Sequence, residues 1–280
     1  MNKISLYIPL YNGTKYLAKC LECVLKQTYP IDEILVIDDG SQEKTSEVTS
    51  DFPVKLIKHK YNKGLAAARN TAIMETRNDF IASIDVDCII EPSWLEECMK
   101  NFLNPRIMAV GGKMMEKSHK KMTYRWRADH LKHHWGGKKR VNPAFLSGSN
   151  IVLKKEVFQK IGLYNAKKYK TNYEDVDLSF RIKEKGLDLI YEPKAIAWHI
   201  KKEDTVFSLL KTNWCWRYHV YSNKFIRRMF NHLALSIYWI LKDILRGKIE
   251  FIFMDILVFP VSVYLDIKNL LITQAKKVHA

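Results

Sequence analysis

Three groups of carboxylates in this chain could do chemistry. Asp85 and Asp87 flank Val86 at the end of an apolar run, Phe80-Ile81-Ala82-Ser83-Ile84, which reads as a buried strand. Asp38 and Asp39 close a second apolar run and lead into Gly40-Ser41. Glu174, Asp175 and Asp177 open a segment with helical spacing. Two carboxylates at the tip of a buried strand are costly unless something positive sits beside them. A divalent cation carrying a phosphate meets that need, because hard cations take oxygen ligands and bridge carboxylates to phosphates. A carboxylate of the third group, within reach of a substrate hydroxyl, would be a general base. Each group also has a plainer reading. The Asp85/Asp87 pair could be an acidic turn, and Asp175 a helix cap stabilised by free N–H groups and the dipole. Residue type alone leaves both open.

The elements that must hold these residues alternate. Ile4 to Leu10, Glu33 to Ile37, Val54 to Ile57, Phe80 to Ile84 and Ile107 to Val110 read as strands. Between them, Thr14 to Gln27 reads as a helix with Leu17, Leu21, Val24 and Leu25 on one face. Leu65 to Glu75 is an Ala-rich helix, and Pro92-Ser93-Trp94 opens another, since proline is favoured in a first turn. Strands separated by helices predict a parallel sheet covered on both faces. In such sheets ligands bind beyond the strand C-termini, where Tyr11-Asn12, Asp38-Asp39 and Asp85/Asp87 fall. Residues 111–142 break this rhythm, with ten Lys/Arg, four histidines and Gly136-Gly137. Order resumes with a strand at Asn150 to Leu153, a helix near Lys155 to Ile161 and another from Asp175 to Lys185 that Gly186 ends. An extended segment then runs from Asp188 to Ile200 and ends on Trp198-His199.

With 280 residues, 47% of them hydrophobic, the chain has room for a sizeable core. Its net charge of +16 is uneven: residues 1–110 hold 13 Lys/Arg and 15 Asp/Glu, whereas residues 111–280 hold 33 and 15. The basic half points to an anionic partner. No recognised nucleic-acid module accompanies it, and the aromatics lie within aliphatic runs rather than in a stacking platform, so no nucleic acid is expected as a partner. The five cysteines, irregularly spaced, do not form a disulfide framework. Cys20 and Cys23 lack a second pair, and His130, His133 and His134 lack a matching Cys or carboxylate set for a metal. Met1 to Leu6 runs straight into a strand without a secretory signal, so a cytoplasmic location is expected.

The last 60 residues differ again. Phe225 to Leu245 and Ile249 to Leu265 are apolar and aromatic with basic ends, the second interrupted by Asp255 and Pro260. The second falls just short of a spanning helix. They read as helices lying on a membrane surface, with Tyr238, Trp239 and Tyr264 at headgroup level and Arg227 and Arg228 meeting anionic lipid.

Seven segments, in order, carry a family resemblance: Ile8-Pro9-Leu10-Tyr11-Asn12, Asp38-Asp39-Gly40-Ser41, Asn62-Lys63-Gly64-Leu65-Ala66-Ala67-Ala68-Arg69-Asn70, Asp85-Val86-Asp87, Gly148-Ser149-Asn150, Glu174-Asp175 and Trp198-His199. Together they resemble an inverting, metal-dependent GT-A fold glycosyltransferase of family 2. That resemblance implies an α/β fold with a Rossmann-like, mostly parallel sheet flanked by helices, to which the C-terminal membrane-associating helices are an extension. Residues 1–110 would be the nucleotide-sugar-binding half, 111–222 the acceptor-binding and catalytic half, and 223–280 the helical extension. The resemblance places Pro9, Tyr11, Asn12, Asp38, Asp39, Arg69 and Asp85 around the nucleotide. It assigns Mn²⁺ or Mg²⁺ to Asp87 and Asp85, with His199 as a further ligand. Asp175 would be the catalytic base, and Gly148, Ser149, Asn150, Glu174 and Trp198 would contact donor sugar or acceptor. The donor would be a nucleotide-sugar, UDP by default, and the acceptor a glycan or lipid-linked hydroxyl in surface polysaccharide synthesis. Lys138, Lys139 and Arg140 would meet an anionic acceptor, and the enzyme would sit peripherally on the inner face of the cell membrane. Two alternatives remain open. A GT-A-like nucleotidyltransferase normally carries a Gly-rich phosphate loop, which Ile8 to Asn12 lacks. A non-catalytic scaffold is the other, though Asp85, Asp87 and Asp175 are all intact.

Overall fold

A computed structural model describes residues 2–278 apart from 132–133, 202–203 and 219–223. The chain divides into two units, Met1–Lys117 with His133–Lys201, and Ser118–Lys132 with Lys202–Ala280. The helical unit therefore begins earlier than residue 223 and takes in part of the basic segment as well.

The first unit is built on strands β1 (Ile4–Leu10), β2 (Glu33–Asp38), β3 (Lys55–Lys58), β4 (Phe80–Ile84), β5 (Cys88–Ile90), β6 (Ile107–Glu116), β7 (Arg140–Val141), β8 (Asn150–Lys154) and β9 (Asp188–His199). They form one sheet in the order β3-β2-β1-β4-β8-β6-β9-β5, with β7 against β9. β1 to β4 pair in parallel. Beyond β4 the sheet is mixed: β8 runs antiparallel to both β4 and β6, β6 and β9 are parallel, and β5 and β7 are antiparallel to β9. Sequence patterning reaches β1 to β4 and also β6, β8 and β9; a two- or three-residue antiparallel strand such as β5 or β7 leaves no such signature.

β1 is buried along its whole length, as a central parallel strand covered on both faces must be. Its covers are α1 (Thr14–Leu25), which buries Leu17, Cys20, Leu21 and Val24, and α3 (Leu65–Glu75), which buries Ala66, Ala68 and Ala72. Between them in the chain lies the short α2 (Thr45–Thr49). Alanines let α3 approach the sheet closely. Gly64, at φ +96°, starts that helix, and an added Cβ there would lie 2.6 Å from the Lys170 carbonyl oxygen, so only glycine fits. The remaining helices of this unit are α4 (Trp94–Met99), α6 (Val157–Ile161) and α7 (Glu174–Glu184), with α5 (Met122–His130) belonging to the helical unit.

The helical unit comprises α5, α8 (Val206–Tyr218), α9 (Phe225–Leu245), a short 3₁₀ turn at Ile249–Phe251 and α10 (Ile252–Val278). No helix among the described residues is long and apolar enough to cross a membrane. Its core joins Trp126, Leu209, Leu210, Trp239, Phe251, Met254 and Val258. Two residues expected at a lipid surface are therefore inside. Trp239 packs edge-on against Trp126, with centroids 5.5 Å apart. Arg228 is buried because Asp266 accepts from its Nε at 3.1 Å. Tyr238, Tyr264 and Arg227 remain exposed. Of the histidine group, His130 is buried in this unit, His134 belongs to the α/β unit, and His133 lies outside the described residues.

Candidate active site

Strand register brings the first carboxylates together. Leu10 of β1 pairs with Asp38 of β2, and β4 runs parallel on the other side of β1, so Tyr11, Asp39 and Asp85 leave the same sheet edge. A cavity of about 320 Å³ opens there, lined by Pro9, Tyr11, Asp39, Asn62, Asp85 and Asp87 among others. Tyr11 is half exposed, its ring free to stack on a planar ligand.

The two adjacent aspartates divide their work. Asp39 reaches the cavity while accepting from the backbone N–H of Lys63 at 2.9 Å and of Gly64 at 2.8 Å. His59 Nδ1 lies 2.7 Å from the same carboxylate. Asp39 thus fastens the 62–64 loop to the sheet edge. Asp38 instead turns inward, where the Ser41 N–H donates to it at 2.8 Å. Asn12, at φ +48°, also supports this turn: its N–H donates to Ser41 Oγ and its Oδ1 accepts from Gln42 N–H. Asp38 and Asn12 therefore shape the sheet edge without lining the cavity.

Arg69 projects from α3 and is 2% exposed. Its Nη1 donates to Glu174 Oε1 at 2.7 Å and its Nη2 to Asp85 Oδ1 at 3.3 Å. A buried guanidinium needs such partners. It therefore ties the tip of β4 to the start of α7, rather than reaching out to a ligand as sequence alone implied. Gly148 is what lets it lie there, since a Cβ at that position would meet Arg69 Nη1 at 2.2 Å. Burial pushes the Glu174 carboxyl up to about 7 against the pull of Arg69. Burial likewise raises Asp85, with Arg69 opposing and Asp87 adding to the rise.

Asp175, one residue beyond Glu174, accepts from the Gly148 N–H at 2.9 Å and from the Val176 N–H at 2.8 Å. Tyr173 before it adopts a left-handed backbone, φ +75°, that turns the chain into α7 and aims the acidic pair at the Gly148 loop. Ser149 is nearly buried, its hydroxyl 2.8 Å from that of Ser147. Asn150 is in the core, where its Oδ1 accepts from the Trp94 indole N–H. Trp198 donates its own indole N–H to Glu91. Neither Asn150 nor Trp198 lines the cavity; both hold strands in place.

Asp87 has different company. β9 ends at His199, paired on one side with Cys88 of β5 and on the other with Glu116 of β6. His199 Nε2 accordingly lies 3.3 Å from Asp87 Oδ2, and its Nδ1 lies 3.5 Å from Glu116 Oε2. Burial would raise Asp87, but His199 and Lys201 outweigh it and bring the carboxyl down to about 2. Glu116 escaped the sequence reading because β6 was expected to end at Val110. Lys113-Met114-Met115-Glu116 does not alternate apolar with polar, so no local pattern extends the strand to Glu116. An ionised carboxylate beside an imidazole is a fitting donor pair for a borderline-hard divalent cation, with Asp85 at the same mouth. Among the described residues a further group, Asp129, His130 and Asp243, has ligand atoms within 4.8 Å of one another. Lys242, Arg246 and Lys248 lie 3.0–3.9 Å from Asp129 and oppose a cation there.

A model of glycosyl transferase family 2 matches residues 5–162, more than half of the chain and nearly all of this acidic edge. The chain belongs to glycosyl transferase family 2. As a member, it is 36% identical to the chondroitin synthase of Escherichia coli over 104 residues, which is 35% of this chain and 15% of that enzyme. The chain spans well under two thirds of the length of the curated relatives it first matches. Among solved structures, the mannosyltransferase PcManGT from Pyrobaculum calidifontis, in complex with GDP-Man and Mn²⁺, superposes with a TM-score of 0.58 at 18% identity, covering 99% of this chain and 80% of that one. GalNAc-T7 with UDP, GalNAc and Mn²⁺ gives a TM-score of 0.58 at 17% identity, over 72% of this chain and 44% of the other. These likenesses show that this family 2 chain has the GT-A fold.

Proposed function

We propose that the protein is an inverting glycosyltransferase, moving a sugar from a nucleoside-diphosphate sugar to a hydroxyl of a glycan or lipid-linked acceptor in surface polysaccharide synthesis. The observation that carries this reading is the bridge of Arg69. It fixes Asp85, beside the cavity that would take the diphosphate, to Glu174, the neighbour of Asp175. Leaving-group end and proton-accepting end are thereby held in one rigid frame, as a displacement with two fixed partners requires.

In this reading Tyr11 stacks on the base and Asp39 accepts from one of its N–H groups. Asp87 and His199, with Asp85, would hold Mn²⁺ or Mg²⁺, which when bound offsets the charge on the departing nucleoside diphosphate. Asp175 takes the proton of the acceptor hydroxyl. The acceptor oxygen bonds to the anomeric carbon as the bond from that carbon to the phosphate oxygen breaks, and a single displacement inverts the centre. Glu174, clamped by Arg69, positions Asp175. UDP is the proposed nucleotide; PcManGT, bound to GDP-Man, keeps GDP as the second choice. The basic second half of the chain supports a working place at the inner face of the cell membrane.

The test is nucleotide release from a panel of UDP-, GDP- and dTDP-sugars, with and without Mn²⁺. Release of one nucleotide, dependent on the metal and on a hydroxyl acceptor, supports the reading. Equal inertness across the whole panel, with every acceptor class supplied, contradicts it.

A further inference from the structure

The two long helices of the helical unit turn a row of polar residues inward, beside the unit's apolar core, and an apolar stripe outward. Along α9 the exposed Ile226, Phe230, Leu233, Ile237, Leu241 and Ile244 are spaced by three or four residues and so form one stripe, flanked by the exposed Tyr238 and Leu245. The buried face of the same helix carries Arg228, His232, Ser236, Trp239 and Asp243, four of which are polar. α10 repeats the arrangement. It buries Asp255, Ser262 and Asp266 beside Met254, Val258 and Leu265, and exposes Phe253, Ile256, Ile267, Leu271 and Ile272.

The buried polar groups are matched to one another. Asp266 accepts from Arg228 Nε at 3.1 Å and from the Trp214 indole N–H at 3.0 Å, with His232 Nε2 at 3.5 Å. Asp255 accepts from the Trp126 indole N–H at 2.9 Å. His130 Nε2 faces Asp243 at 2.9 Å and Asp255 at 3.4 Å. No charged residue interrupts the stripe of α9, and on α10 the exposed Lys268 lies beside it.

In water the hydrophobic effect sorts a helix pair the other way, apolar inward and charged outward. Exposed apolar patches of more than a few hundred square ångströms mark an interaction surface. Where the surroundings are hydrocarbon, the sorting reverses: ionisable residues face the interior and pair there, while apolar side chains face lipid. Yet neither helix is long and apolar enough to cross a bilayer. α9, at 21 residues, is about 31 Å long, given 1.5 Å per residue. The unit also holds 17 Lys/Arg against 7 Asp/Glu, and three of those acids, Asp243, Asp255 and Asp266, are sealed inside. Its exposed charge is therefore strongly positive, complementary to an anionic headgroup layer.

We infer that α9 and α10 form a monotopic hairpin that inserts its apolar outer face into the acyl region of one bilayer leaflet, with its charges sealed between the helices. This extends the membrane location proposed above from surface attraction to insertion. It does not depend on the glycosyl-transfer reading, because its readout is binding alone.

The experiment is vesicle flotation of the full chain, at low salt and at 0.5 M NaCl, on phosphatidylcholine vesicles with and without phosphatidylglycerol. Wild type is compared with the triple variant Phe230→Gln, Ile237→Gln, Leu241→Gln. Insertion predicts that wild type floats with anionic vesicles at both salts, and that the variant loses at least tenfold of its bound fraction at high salt. All three changes are at exposed positions, so the variant keeps the far-ultraviolet circular dichroism of the wild type. Binding that vanishes at 0.5 M NaCl for wild type would mean headgroup attraction only and would overturn insertion. A wild type that stays unbound and elutes as a dimer, while the variant elutes as a monomer, would overturn it in favour of a second copy of the chain. If nucleotide release fails while flotation succeeds, only the enzymatic reading falls.

Discussion

The two units of this chain use buried acids in opposite ways. In the α/β unit, acids gather at the open ends of strands and face a cavity, held by one buried arginine and a histidine. In the helical unit, acids are shut inside beside an apolar core, while one apolar stripe faces out. The first arrangement leaves charge available to a ligand, whereas the second spends it entirely on internal partners. The same residue type should therefore fail differently in the two places: a lost acid in the first unit should cost chemistry, and in the second it should cost stability.

The largest expected effect is at the cavity. Asp87→Asn should lower transfer by about a thousandfold, since a metal ligand and its charge are worth several kcal/mol in the transition state. Its melting temperature should stay within a degree or two of wild type, because Asp87 is held ionised in a partly open site. A large loss of stability instead would put Asp87 in the structural class and break the contrast. Asp266→Ala should do the reverse. It leaves Arg228 buried and uncompensated, which costs about 3–5 kcal/mol, while nucleotide affinity of the folded fraction stays unchanged. Denaturant unfolding with parallel nucleotide titration checks both halves.

Asp255 sharpens the contrast through pH. Burial pushes its carboxyl up to about 7. The folded state thus binds this proton more tightly than the unfolded chain, so stability falls as pH rises from about 4 to 7 and is flat above. Asp255→Asn keeps an acceptor for the Trp126 indole and removes the ionisation, so it should erase that slope and be the more stable protein at pH 8 by a few kcal/mol. Thermal melts from pH 5 to 8 read this directly. The smallest effect expected is that of Tyr11→Ala, which removes a half-exposed stacking surface and should weaken nucleotide binding by about 10-fold, as one lost stacking contact of about 1 kcal/mol or a little more would. Isothermal titration with the nucleotide released in the donor panel measures it.

Much of the α/β unit was legible in the sequence because its signals are local. β1, α3 and β4 fall at the residues that periodicity alone assigns, since a continuously apolar strand and an Ala-rich helix after Gly64 each declare themselves. The sheet edge was legible for the same reason: the acids follow directly on apolar runs. What escaped depends on distant pairing. Glu116 sits beside His199 only because β6 runs ten residues and lies parallel to β9. The two hydrogen bonds of Arg69, to Asp85 and to Glu174, join positions 16 and 105 residues apart. A motif shows that an arginine is present, and not that both its arms are already taken. Asn12, Asp38, Asn150 and Trp198 belong to the right segments, yet their side chains turn to the scaffold. In the helical unit composition showed apolar helices with basic ends, but not which face was buried. Arg228 and Trp239 were accordingly expected at the lipid surface, and tertiary pairing with Asp266 and Trp126 took them inside.

The most direct test is a pair of measurements on Asp175→Asn, with the nucleotide-sugar that the wild type consumes. In the proposed reading Asp175 stands outside the lining of the cavity, and asparagine keeps an oxygen to accept from the Gly148 or Val176 N–H, so the change should chiefly remove proton acceptance. Transfer to the acceptor should fall by about a hundredfold to ten-thousandfold, the range for a positioned general base, while nucleotide affinity stays within about threefold of wild type, well under 1 kcal/mol. A variant that turns over at the wild-type rate would contradict the account.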